Sequence, residues 1–327
     1  MLISNLLISN LPISFPKPMD QFLSQLPQTI VNGLTLGSVY ALIALGYSMV
    51  YGILKLLNFA HGDVYMVGAY IGYGMLIILV PASGPLLPIP LVILLMLLVA
   101  MVGCALLGVA IERFAYRPLR NAPRIAPLIS ALGVSFVLQN LIQLTISPRP
   151  FSYGSGTLIP VDSGLTFGGI QVSTARILVI GTTILLMLAL TYFVQNTRTG
   201  RAMRAVAMDI DAAAMMGVDV DRVVLVTFLL GSALAGAAGV LVGIVFLSIQ
   251  HTMGFLAGLK GFTASVVGGI GNIPGAVLGG LLLGLAEAFA SVYISVTFKD
   301  AVAFFILVMV LLVKPGGLLG RVAVQKV

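Results

Sequence analysis

Apolar runs of about 18 residues or more recur along almost the whole chain, separated by short polar links. They lie near 29–54, 64–81, 86–111, 125–146, 174–194, 222–249, 261–294 and 300–313. Soluble domains carry roughly 25% charged residues, whereas this chain of 327 residues carries 8% and is 59% hydrophobic. Its solvent is therefore a bilayer. There every backbone N–H and C=O must be satisfied within the spanning segment, so helices are the expected element. The expectation is an all-α polytopic membrane protein with about 8–10 transmembrane helices. A soluble enzyme is excluded.

A net charge of +7 raises the question of nucleic acid, and the placement of the charges answers it. Arg113, Arg117, Arg120 and Arg124 lie between two apolar runs. Arg198, Arg201, Arg204 and Arg222 flank a second loop, 196–222, and Lys314, Arg321 and Lys326 lie in the tail. This is the positive-inside pattern, which assigns all three segments to the cytoplasm and implies no nucleic-acid partner. The glycine- and proline-rich loop 147–173 is then external, and its "LTFGGIQVST" suits a small hairpin.

The division expected is an N-terminal extension over 1–28, a transmembrane domain over 29–313 and a cytoplasmic tail over 314–327. Residues 1–18 carry Pro12, Pro16 and Pro18 and lack a basic start, so they do not resemble a signal peptide. They read as a dispensable extension or a misassigned start.

Two runs are interrupted. "LLNFAHGDVYMVGAY", Leu56–Tyr70, sets an amide, an imidazole, a glycine and a carboxylate between apolar stretches. "GGIGNIPGAVLGG", 268–280, breaks a run too long for one helix, since glycine and proline there end or kink it. Helix breaks are expected near 58–62 and 268–275. A basic tail on the cytoplasmic side needs an odd number of crossings after residue 250. Splitting 261–294 at Asn272–Pro274 supplies it, and a re-entrant first half is the alternative. Paired interruptions in two halves point to a translocation path. Residue similarity between the halves is weak, so an internal pseudo-repeat stays open.

The path candidates are Asn58, His61, Gly62, Asp63, Asn272 and Glu287. Asn58 offers a donor and an acceptor, Gly62 permits close approach, and Asp63 suits a helix start. Glu287 in "GLAEAFA" is an acid inside an apolar helix, a costly placement that favours a cavity or a partner. The plainer readings are an interfacial cap at 58–63 and a hydrogen-bonded neutral acid at 287. Lys55 and Lys260, near span ends, read as snorkelling cations. Gly231, Ala235 and Gly239 share a face and suit close helix packing.

No glycine precedes a Lys-Ser/Thr pair, so there is no phosphate-cradling loop, and any ATP hydrolysis belongs to another chain. Two histidines and a single cysteine, Cys104, offer no metal set and no intrachain disulfide. No cofactor is expected. Between Thr199 and Met216 the pattern predicts one short amphipathic helix with Arg201, Arg204 and Met208 on a shared face, ended by Gly217. A helix of this kind either docks on a cytoplasmic partner or is a solvated connector.

"DAAAMMG", 211–217, resembles the E-A-A-x-x-x-G motif of ABC-importer permeases, with Asp211 in the glutamate position and the downstream proline missing. "NGLTLGSVYALIALGYSMVYGILKLLNFAHGDVYMVGAY", 32–70, resembles the start of high-affinity branched-chain amino acid permeases, in particular the first of their two paired subunits. "RTGRAMRAVAMDIDAAAMMGV" and "GLKGFTASVVGGIGNIPGAVLGGLLLGLAEAF" are similar to further segments of that family. The resemblance implies a non-enzymatic transport subunit in a bacterial inner membrane, moving leucine, isoleucine and valine by alternating access. The partners it implies are a second permease, cytoplasmic ATP-binding subunits and a periplasmic substrate-binding protein. It places ATPase coupling at Arg201, Arg204, Asp211, Ala212, Ala213 and Gly217. The same broad family includes urea and short-chain amide permeases, which are the alternative. An ion-coupled secondary transporter using Asp63 and Glu287 is a more distant one.

Overall fold

The computed structural model describes residues 19–81, 83–120, 122–123, 125–154, 158–160, 163–167 and 170–320. The expectations for residues 1–18, Arg124, Arg321 and Lys326 lie outside them. In order the elements are α1 (Met19–Leu54), α2 (His61–Leu79), α3 (Ile89–Ile111), α4 (Ile125–Thr145), β1 (Phe151–Ser152), β2 (Gly164–Phe167), β3 (Ile170–Ser173) and α5 (Thr174–Asn196). After them come α6 (Arg198–Met208), α7 (Ile210–Met215), α8 (Val220–Phe246), β4 (Ser248–Ile249), α9 (Met253–Gly268), α10 (Ile273–Tyr293) and α11 (Lys299–Val313). α3 runs on through a π turn, Glu112–Tyr116, and a 3-10 turn, Arg117–Leu119. Among the described residues eight helices are long and apolar enough to cross a membrane. α9 is shorter, with 16 residues that span about 24 Å. α1 begins at Met19, so 19–28 belong to the first helix rather than to a separate extension.

α1 and α8 are the buried centre, while α4, α5 and α11 show most of their surface to the outside. The three basic segments gather at one end. Arg117 Nη2 lies 2.6 Å from Asp221 Oδ2, and Arg120 bridges Asp221 and Glu112. Arg204 and Gly271 line one small cavity beside the end of α1, and Asn272 Nδ2 donates to Leu319 O of the tail at 2.8 Å. The opposite end holds the loop between α4 and α5. Its β2–β3 hairpin is antiparallel, as expected from the alternation, and Gln171 N donates to Gln28 Oε1 at the start of α1. Tyr153 plugs this end. It is fully buried between α2 and α8, its hydroxyl donates to Ala69 O at 2.5 Å, and β1 beside it pairs with β4.

Chain direction follows from these contacts. α9 runs toward the basic end, where the carbonyls of Val267 and Gly268 accept from Leu318 and Leu319 N–H. α10 returns and α11 comes back. Three passes follow residue 250, the odd number required for the tail, with the break at 269–272.

The first break, 55–60, has its copy at 247–252 and not at 268–275, so the two interruptions paired in the sequence are not each other's counterparts. α1 and α8 each end on a left-handed residue, Lys55 (φ 54°) and Leu247 (φ 57°). Each donates its N–H to the carbonyl four residues back, Tyr51 or Gly243. Six residues later a new helix starts, at His61 or Met253, and that residue's N–H bonds the carbonyl of Asn58 or Gln250 at 3.1 and 3.2 Å. The next residue is glycine in both, Gly62 and Gly254, and these two meet face to face: a Cβ on either would strike the backbone of the other. The neighbours match as well. α10 packs on α1 as α3 packs on α8, and α9 packs on α10 as α2 packs on α3. Because α1 runs toward the basic end and α8 away from it, the halves are related by a pseudo-two-fold axis lying across the helices.

Candidate functional site

The first break starts α2 inside the bundle. His61 lies against Gly46, eight residues before α1 ends, or roughly 12 Å in. α9 starts at the same depth, because Gly254 and Gly258 face Gly62. Two helix N-termini, each with a partial positive charge, therefore converge in the interior. Asp63, in the first turn of α2 and fully buried, sits against Gly254 and supplies the compensating negative charge. Ser135 Oγ donates to Asp63 Oδ2, and Gln139 Nε2 to Oδ1 at 3.0 Å, which ties α4 to the crossing.

The other residues expected in this stretch hold its shape. Asn58 is buried, with its Oδ1 3.2 Å from the Tyr116 hydroxyl, which also lies 3.1 Å from Leu57 O. The His61 ring packs edge-on to Tyr47 at 4.9 Å and fills the space left by Gly46; its Nε2 has no hydrogen-bond partner among the described residues. Asn272 caps α10, its Oδ1 accepting from Gly275 N at 3.2 Å. It lies at the basic end, about 22 Å along α10 from Glu287. The candidates do not form one cluster.

Glu287 belongs to a different assembly. Its Oε1 accepts from Lys260 Nζ at 2.7 Å and its Oε2 from the Tyr40 hydroxyl at 2.7 Å. Lys260 Nζ also lies 2.6 Å from Asp300 Oδ1, and Lys299 Nζ is 3.8 Å from Glu287. Lys260 and Glu287 are only 4% and 3% exposed. The expectation that Lys260 snorkels at a span end is thus corrected. α9 starts at Met253, not near 261, so Lys260 falls inside the bundle, while Lys55 is exposed as expected. Of this cluster Tyr40, Lys260, Glu287 and Lys299 form the floor of a cavity of about 680 Å³ walled mainly by α1, α8, α9 and α10. Gln250 and Thr252, which follow β4, and Arg176, at the start of α5, also line it, so the cavity lies toward the end opposite the three basic segments.

At the basic end, two helices replace the single one expected over 199–216. Asp209 takes an extended conformation (φ −156°, ψ 115°) and caps α7 through Ala212 N, so α6 stops at Met208. Gly217 ends α7 as expected, at φ +81°. Val218 N donates to Ala213 O, which closes the turn. Arg201, Asp211 and Ala212 are exposed, whereas Ala213 is buried. Arg204 donates to Val194 O and so seals the end of α5. What the pair presents outward is methionine: Met208, Met215 and Met216 are 89%, 82% and 84% exposed.

The family model described as "Branched-chain amino acid transport system / permease component" matches residues 29–312. The chain belongs to this family. The permease is 47% identical to the high-affinity branched-chain amino acid transport system permease protein LivH of Salmonella typhimurium, over 94% of this chain and 99% of that one. It is 46% identical to LivH of Escherichia coli K12 over the same shares. It is 45% identical to BraD of Pseudomonas aeruginosa, over 92% of this chain and 97% of that one. The permease's interior crossing and its methionine-tipped loop both lie within the matched residues.

Proposed function

We propose that this permease is the membrane-spanning subunit of an ATP-driven importer of leucine, isoleucine and valine in a bacterial inner membrane. The observation that carries this reading is the match to branched-chain amino acid permeases along nearly their whole length. In this reading a periplasmic binding protein delivers the amino acid at the end that bears Tyr153. A second, related permease completes the membrane unit. Cytoplasmic ATP-binding subunits hydrolyse ATP, and this chain carries no catalytic step. Glu287 lines the path at its outer part. Asn58, His61, Gly62 and Asp63 hold the break before α2 and Asn272 the turn between α9 and α10, and relative movement of the helices they join opens one side or the other.

Coupling runs through α6 and α7. Exposed, unbranched methionines at an aqueous end are adaptable apolar side chains suited to an apolar groove. The salt bridges from Arg117 and Arg120 to Asp221 connect the start of α8 to the end of α3, so a push on α7 reaches both. Met215→Asp combined with Met216→Asp is expected to abolish uptake of labelled leucine at an unchanged membrane level. Arg201→Glu should act in the same direction. Wild-type uptake by these variants would remove α6–α7 from the coupling role.

The substrate is tested by deleting the gene in its own host and measuring labelled leucine and labelled urea. Loss of leucine uptake alone supports the reading. Loss of urea uptake with leucine untouched moves the permease to the amide branch.

A further inference from the structure

We infer that the cavity above Lys260 and Glu287 is a subsite within this single subunit for the zwitterionic form of an aliphatic α-amino acid. The inference rests on the proposed function and specifies where, and by which groups, the substrate is held. The floor is a buried pair of opposite sign, Lys260 and Glu287; Lys299, 3.8 Å from Glu287, and Asp300, 2.6 Å from Lys260, are partly exposed, and Arg176 is a further cation on the cavity wall. A buried pair of one cation and one anion offers a partner to each end of a neutral dipolar ligand, whereas a ligand with a single charge engages only one of the two. Lys260 donates one of its three N–H groups to Glu287 and lies 2.6 Å from Asp300 Oδ1. Donor capacity remains for a carboxylate. Each Glu287 oxygen accepts one bond from Tyr40 or Lys260, leaving acceptor capacity for an ammonium group. The walls include a branched aliphatic patch, Leu36, Val39, Val242, Val245 and Leu256, beside polar residues such as Asn32, Thr35 and Gln250. A volume of about 680 Å³ falls in the range of small-molecule pockets, which pair apolar walls with a few convergent polar groups. An aliphatic amino acid matches both parts at once, its charged end on the floor and its side chain on the walls.

The test uses the whole purified transporter without its binding protein, with L-leucine, 3-methylbutylamine and 3-methylbutanoate as probes of the thermal unfolding midpoint. L-leucine should raise the midpoint, and the amine and the acid, each with one charge, should not. Lys260→Met with Glu287→Met should abolish the shift and reduce ATP-driven leucine uptake at least tenfold. Ala257→Phe, which fills the cavity without touching a charge, should do the same. Equal shifts with all three probes, or an undiminished leucine shift in both variants, would overturn the inference. If the wild-type complex takes up leucine and both variants match it, the function stands and the subsite alone falls. If the wild-type complex takes up no leucine, the functional reading fails and takes the subsite with it.

Discussion

Gly62→Val is expected to leave almost no assembled protein in the membrane. A Cβ at Gly62 would meet Gly254 O and would lie 2.7 Å from Gly258 Cα and 3.0 Å from Gly258 N. All three are backbone atoms and cannot rotate away. Overpacking of a tight contact costs about 1–3 kcal/mol, and more where the backbone must move. Here two helices that begin in the interior would have to separate, and Asp63 would lose its place between their N-termini. Against a total stability of about 5–15 kcal/mol, that loss shows as degraded protein and a collapsed unfolding midpoint in detergent. Gly74→Ala on the same helix is the contrasting change. No atom lies within 4 Å of its Cβ position, and alanine for glycine in a helix gains about 0.5–1 kcal/mol. Equal abundance of the two variants would show that the α2–α9 crossing is not a point of close contact.

The second large effect is at the buried ion pair. Lys260→Met leaves the Glu287 carboxylate buried with its nearest cation removed, a change that costs about 3–5 kcal/mol. Lys299, at 3.8 Å, offsets only part of that. Adding Glu287→Met removes the orphaned charge, and most of the stability should return, because two apolar side chains of similar length replace the pair. Recovery stops short of complete because the Tyr40 hydroxyl loses its acceptor, worth about 1–3 kcal/mol when buried. The measurement is the unfolding midpoint of wild type, both single variants and the double. A double variant no more stable than the singles would mean that the pair is not a mutual charge balance.

The spans, the shared basic end and the breaks near 58–62 and 268–275 were legible in the sequence because they depend on composition and on glycine and proline, which act locally; the break at 247–252 was not foreseen. The odd number of passes after residue 250 also followed from charge alone. Lys260 was misread because glycines and the lysine itself dilute the apolar signal of "MGFLAGLK", so the run appears to start after the residue that matters. The repeat was hidden for a different reason. Its signature is a left-handed residue at Lys55 and at Leu247, where sequence offers neither glycine nor asparagine. Only the glycine of "HGD" and "MGF" is shared at the crossing. The division of α6 from α7 did have a local signal in Asp209, a strong cap residue before Ile-Asp-Ala-Ala. A continuous amphipathic pattern masked it.

The two-fold relation has a consequence for how such a molecule changes state. Aligning the breaks makes Phe228 the counterpart of Leu36, which lines the cavity on the outer side. On the basic side, the corresponding place beside α8 is filled by the rings of Phe228 and Tyr116, with centroids 5.0 Å apart. One half of the chain is thus slack where the other is tight. In the transport cycle proposed above, the opposite-facing form needs no third arrangement: each half has only to adopt the packing its twin already shows.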